Sequence, residues 1–294
     1  MHAFSGTYTV MITPFTQDGR EVEEAVLRDL VDWQIDAGIA GLIPLGSTGE
    51  VLSLSDEERH RVAAVVVEQA AGRVPVLIGV AAENPLEVLR RGRDMQALGA
   101  DGLLVIPPFY STPTDEEVYQ HYRCIGEGLS IPIMVYNNPA ITNIDLSPAL
   151  IARLAEIPNV AYVKESTLDV SRVRDILHLA GERLGVFGGV LGFESFMNGA
   201  RGWTAVGANL LPGEFQQMYR HSVVERDVAA AQALYRRLLP VIELVGQTRY
   251  VSATKMALEL MGWPVGPPRL PRLASAGAEL DWVQRVVDEL KLKR

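Results

Sequence analysis

Eight short apolar runs punctuate the chain: residues 7–15, 40–46, 74–81, 101–108, 131–137, 160–166, 184–189 and 202–208. They are rich in Val, Ile, Leu and Tyr and mostly lack polar–apolar alternation, as strands covered on both faces do. Between most of them lie amphipathic stretches with helix punctuation. Residues 21–38 end at Gly38. Residues 55–72 begin with Ser55 and Glu58 at capping-box spacing and end at Gly72. Residues 84–99 offer Asn84 as N-cap, Pro85 at the first helical position and Gly99 as stop. Strand then helix, eight times in roughly 220 residues, is the repeat of a (β/α)8 TIM barrel. The stretch 191–201 is short for a helix. Beyond residue 224 the strand signal stops, and 226–245, 249–262 and 275–291 read as three helices. The expected organisation is a barrel catalytic domain over 1–224 and a C-terminal three-helix extension over 225–294. The competing fold, a doubly wound open sheet, wants G-x-G-x-x-G after an early strand, and LGSTGEV does not supply it.

Composition narrows the partners. The 294 residues are 48% apolar and 21% charged, which excludes a disordered chain. Net charge is −9 and no basic run occurs, so nucleic acid is not an expected partner. No apolar run reaches the ~20 residues that span a bilayer. The start, MHAFSGTYTV, lacks the basic and apolar segments of a signal peptide, and Cys124 is the single cysteine; both fit the cytoplasm. The five His fall at the N-terminus or in helical segments with no H-E-x-x-H pattern, so no metal site is expected. G-x-S-x-G is absent too.

Barrel enzymes work at the C-terminal ends of their strands. That rule selects Ser47 and Thr48 after the second run, Phe109 and Tyr110 after the fourth, Tyr136 and Asn137 at the fifth, Lys164 and Glu165 at the sixth, and Gly188 and Gly189 at the seventh. Lys164 is the sharpest of them. Of 27 Lys and Arg only four are Lys (164, 255, 291 and 293), so a Lys inside an apolar run is a departure from habit. Burial lowers an ammonium's pKa, and the neutral amine can attack a ketone to give an imine, an electron sink. Tyr136, one strand away at similar height, could carry protons. The Gly-flanked turn GSTGE (46–50) could cradle a carboxylate with its N–H groups and the two hydroxyls. Plainer readings stand beside each. Lys164 could pair with Glu165, Tyr136 could be packing, GSTGE could be a turn needing Gly for its backbone angles, and Gly188-Gly189 could be a turn.

TPF (13–15), GSTGE (46–50), PPFYSTP (107–113), YNNPA (136–140), VKES (163–166) and the GAN at 207 occur together and in this order. On these blocks the chain resembles the dihydrodipicolinate synthase / N-acetylneuraminate lyase family over nearly its whole length. The resemblance implies a (β/α)8 barrel with C-terminal helices, assembled as a homotetramer of two tight dimers. It implies a class I mechanism in which Lys164 forms an imine with the 2-oxo group of pyruvate or a longer 2-oxo acid. Tyr136 would be the proton shuttle, in a relay with Thr48 and with Tyr110 from the neighbouring subunit. Ser47 and Thr48 would hold the substrate carboxylate; Gly188, Gly189 and Thr204 complete the expected substrate-binding set. No metal or organic cofactor is implied.

Two positions depart from the pattern. In the family's synthases an Arg after YNxPx binds the carboxylate of the aldehyde substrate; here Ile141 stands there. Its N-acetylneuraminate lyases carry an acidic pair after the strand-seven glycine; here Val190 and Leu191 follow Gly189. The expected activity is therefore reversible aldol cleavage, or dehydration, of a 2-keto-3-deoxy sugar acid or a 4-hydroxy-2-oxo acid. Two alternatives stay open. One is 4-hydroxy-tetrahydrodipicolinate synthase, condensing pyruvate with aspartate semialdehyde. The other is a barrel that binds a carboxylate without turnover.

Overall fold

The structure is a computed structural model describing residues 4–294. Its strands are β1 Gly6–Val10, β2 Gly41–Ile43, β3 Leu77–Ala81, β4 Gly102–Ile106, β5 Ile133–Asn137, β6 Val160–Glu165, β7 Gly185–Gly188 and β8 Gly202–Ala205. They form one sheet in the order β2-β1-β8-β7-β6-β5-β4-β3. That is chain order taken round a cycle, and the fold is the TIM barrel that the repeat predicts.

The helices are α1 Glu24–Asp36, α2 Asp56–Ala70, α3 Pro85–Ala97, α4 Asp115–Glu127, α5 Pro139–Thr142, α6 Pro148–Leu154, α7 Ser171–Ala180, α8 Gly192–Met197 and α9 Pro212–Tyr219. Three more follow at the C-terminal end: α10 Val228–Val245, α11 Tyr250–Leu260 and α12 Ala278–Leu290. The punctuation works as read. Ser55 and Glu58 form a reciprocal capping box on α2, and Asn84 caps α3 with Pro85 at its first position. The strands are shorter than the apolar runs. β1 stops at Val10, yet Met11, Ile12 and Phe15 beyond it are buried, because Asn209 and the Val265 carbonyl hold the stretch down through the Ile12 and Phe15 N–H groups.

The chain divides into two compact units, one running to Gly6 and resuming over Pro75–Thr204, the other Thr7–Val74 with Ala205–Arg294. In the first, aromatic rings fill the interior. Tyr162 stacks on Phe4 with centroids 5.0 Å apart and meets Phe187 edge-on at 5.8 Å. Gly202 makes room for them: a Cβ there would lie 2.1 Å from the Phe187 ring. In the second unit, Asn209 fastens the start of the chain, donating to the Val10 carbonyl at 2.8 Å and accepting from Ile12 N–H at 3.1 Å. The Trp33 and Trp263 rings lie 5.2 Å apart in the same unit.

Candidate active site

β5 and β6 pair in parallel with Tyr136 opposite Lys164, and β7 continues the row with Phe187 opposite Lys164. Side chains alternate along a strand, so Lys164 shares its face with Tyr162, two residues earlier. The Tyr162 ring, which meets Phe187 edge-on, thus lies on the same face of the sheet as Lys164. Lys164 is 6% exposed, and its Nζ lies 4.2 Å from the centroid of the Tyr136 ring. No carboxylate lies within ion-pair distance of it among the described residues. Burial alone pulls its pKa down to about 7. A contact with a ring face favours the ammonium only slightly, and desolvation wins. At neutral pH a large share of this amine carries a free lone pair.

The plainer reading of Lys164 as a partner of Glu165 does not hold. Alternation sends Glu165 to the opposite face. There it accepts from Asn137 Nδ2 at 2.9 Å and Thr167 N–H at 2.8 Å, and Arg172 lies 3.7 Å away. Asn137 also accepts from Leu146 N–H at 3.0 Å, pinning the connection that leaves β5. The Tyr136 hydroxyl accepts from Asn138 Nδ2 at 3.0 Å.

At the end of β7, Gly189 serves close approach. A Cβ there would sit 1.8 Å from Ser166 Oγ, and the Gly189 N–H donates to the Glu165 carbonyl at 2.7 Å. Gly188 is crowded in the same way by Ser195. Thr204 is fully buried and spends its hydroxyl proton on the Gly188 carbonyl at 3.1 Å. Ser166, which the sequence did not single out, is 7% exposed, and its hydroxyl has no hydrogen-bond partner among the described residues. Its only sequence signal is its place two residues after Lys164, on the same face.

Tyr110 stands apart, 87% exposed. The segment carrying it is held by Glu83, another residue with no sequence signal. The Glu83 carboxylate accepts from the N–H groups of Phe109 at 2.7 Å, Tyr110 at 2.6 Å and Ser111 at 3.4 Å, and from Ser111 Oγ at 2.8 Å. Partial burial pushes its pKa up, but these donors outweigh that and hold it below the ordinary carboxylate value.

In the second unit the GSTGE turn follows β2. Thr48 is 2% exposed and Ser47 half-buried. The Glu50 N–H donates to the Ser47 carbonyl at 3.2 Å, and Thr13 Oγ1 donates to the Gly49 carbonyl at 2.8 Å. Its glycines do not supply the left-handed angles. Those belong to Leu45, with φ 60°, and Glu50, with φ 56°. Gly49 is there for space, since a Cβ would come within 3.1 Å of the Leu45 nitrogen and the Met11 carbonyl oxygen. No group of three His, Cys, Asp or Glu converges as a metal site among the described residues.

The chain matches the Dihydrodipicolinate synthetase family over residues 3–290. It is 37% identical over 268 residues to the 4-hydroxy-tetrahydrodipicolinate synthase of Thermomicrobium roseum, covering 90% of this chain and 88% of that one. Its fold matches the chloride-inhibited dihydrodipicolinate synthase of Acinetobacter baumannii, complexed with pyruvate, with a TM-score of 0.95. That match has 29% identity over 99% of this chain and 100% of the other. The dihydrodipicolinate synthase of Thermotoga maritima matches with a TM-score of 0.94 and 28% identity, covering 99% of each chain. These matches set aside the reading as a non-catalytic carboxylate-binding barrel: the chain belongs to the dihydrodipicolinate synthetase family of class I aldolase lyases.

Proposed function

We propose that this lyase acts through an imine between Lys164 and the 2-oxo group of pyruvate or a longer 2-oxo acid. The observation that carries the proposal is a buried amine, without a carboxylate partner among the described residues, in register with a tyrosine on the next strand. The Lys164 Nζ lone pair attacks C2 and gives a carbinolamine. The departing hydroxyl takes a proton and leaves as water, and the nitrogen becomes a protonated imine. When the C3–C4 bond breaks, its electrons flow into that imine to give an enamine, and the C4 hydroxyl proton is removed as the aldehyde forms. Protonation at C3 and hydrolysis then free the amine. Tyr136 is the group that carries these protons.

The remaining roles rest on the family resemblance. Ser47 and Thr48 hold the substrate carboxylate, Thr48 and Tyr110 serve the proton relay, and Gly188, Gly189 and Thr204 shape the substrate site. Tyr110 works from a neighbouring copy in a homotetramer, which its exposure suits. The reaction takes place in the cytoplasm, which the unpaired Cys124 suits.

We assign as substrate a 2-keto-3-deoxy sugar acid or 4-hydroxy-2-oxo acid, cleaved or dehydrated. Ile141 carries this choice: it is 43% exposed on α5 and offers no donor to an aldehyde carboxylate. Borohydride reduction in the presence of pyruvate, followed by peptide mapping, should leave a 1-carboxyethyl group on the Lys164 nitrogen; an unmodified Lys164 ends the proposal. A second reading, condensation of pyruvate with aspartate semialdehyde, is supported by the name of the Thermomicrobium roseum relative. Steady-state assay decides between them. A kcat/KM with aspartate semialdehyde of about 10⁴ M⁻¹s⁻¹ or more, exceeding every member of a 2-oxo acid panel, establishes the second reading.

A further inference from the structure

Lys255, the other lysine outside the C-terminal tail, is absorbed by no step above. It lies on α11 and forms an ion pair with Glu50 at 2.9 Å, the two side chains being 1% and 0% exposed. Such a pair is an expensive way to fill a core. Glu50 is the last residue of the GSTGE turn and is held in the left-handed region, which disfavours a side chain.

The pair sits in a larger clamp. The second Glu50 oxygen accepts from the Arg269 N–H at 2.9 Å. Lys255 Nζ also donates to the Pro267 carbonyl at 3.2 Å and lies 3.9 Å from the centroid of the Phe15 ring. The Arg269 guanidinium lies 4.2 Å from the same centroid and grips Glu58 with two bonds of 2.7 and 2.6 Å. It reaches the Ser53 carbonyl as well, at 3.0 Å. Glu50 at the end of the turn, and Ser53 and Glu58 beyond it, are thus tied to one strap, residues 265–269, through Lys255 and Arg269.

We propose that Lys255 and Glu50 are positioning residues for the reaction. Their ion pair fixes the backbone of the 46–50 turn and thereby the direction in which Ser47 and Thr48 present their donors to a substrate carboxylate. Neither residue touches substrate. The inference deepens the Schiff-base reading and rests on it for its kinetic consequence, though not for its structural one.

The test uses the full-length chain with Glu50→Gln, Lys255→Met and the double substitution. Two measurements are made on each. Amide exchange of residues 47–51 should quicken about tenfold in both single variants while β5 and β6 keep their protection. Borohydride trapping of pyruvate on Lys164 should need about tenfold more pyruvate for half-saturation, with the saturating rate unchanged, as for lost binding of ground and transition states alike. The double variant, which leaves no unpaired charge, should regain global stability but not the pyruvate affinity. If the single variants fail to fold, Lys255→Arg, which keeps the charge on a longer and broader head, carries the same two measurements. Unchanged turn exchange overturns the proposal. So does an unchanged half-saturation, or a double variant whose pyruvate affinity returns with its stability. A wild-type chain that traps no pyruvate instead overturns the Schiff-base reading, and the exchange data still judge the clamp.

Discussion

Lys164 acquires its chemistry by subtraction. Ordinary lysines are charged because water or a carboxylate stabilises the charge; this one is buried, and no carboxylate lies within ion-pair distance of it among the described residues. Imine formation needs the unprotonated amine, so the initial rate of pyruvate trapping should climb as pH passes through about 7 and then level off. A rate flat from about pH 6 to pH 9 would exclude the burial account. The same depression acts on stability. Between about 7 and the ordinary 10.5 the unfolded chain binds the proton that the folded chain refuses, so stability rises with pH across that window. Below it the folded state carries the full penalty. Lys164→Met should therefore abolish trapping yet stabilise the fold at pH 6 by about 1–3 kcal/mol, with the gain fading toward pH 10. Calorimetry showing a loss at both pH values would mean that the ammonium has a partner. Tyr136→Phe should keep the fold and lower kcat by about 10²–10⁴.

Elements set which residues meet, and here the sequence was legible in part. Positions 136 and 164 could be paired beforehand because parallel neighbours in a barrel follow chain order, and both lie at the ends of their strands. Helix boundaries followed from Ser55, Asn84 and Gly99, whose effects are local. Strand lengths did not, since the buried Met11 and Ile12 extend an apolar run past the last ladder position. Asn137 was placed at its strand end, but its hold on Leu146 and Glu165 was not. Glu83 and Ser166 were illegible: Glu83 acts on amides 26 to 28 residues further along the chain, and Ser166 is enclosed by Gly189 at the end of the next strand, so neither leaves a periodic trace. The link between Glu50 and Lys255 was beyond reach for the same reason, although lysine scarcity had pointed to one of its ends. Glu83→Ala should free the 109–111 amides, quickening their exchange and destabilising the first unit by about 1–3 kcal/mol. An untouched exchange pattern would show that the clasp is not what holds Tyr110.

At the scale of the whole molecule, the response to acid should report one histidine. His121 on α4 is 4% exposed, neither ring nitrogen has a hydrogen-bond partner among the described residues, and its ring meets Tyr122 edge-on at 5.5 Å. Burial pulls its pKa down to about 4, against the opposing pull of the Glu83 charge. The unfolded chain takes up that proton near 6.5, so stability falls as pH drops from there toward 4. His121→Leu should flatten this limb, gaining about 1–3 kcal/mol at pH 4.5 relative to its effect at pH 7. Equal urea midpoint shifts at the two pH values would discount the histidine. Few lysines, sorted so unequally between core and tail, leave the molecule with an unusual reagent profile. Lys291 and Lys293 are exposed at the very end, whereas Lys164 and Lys255 are enclosed. A small electrophile used near neutrality should therefore single out the nucleophilic amine of β6, so that counting derivatised lysines becomes a direct titration of working sites.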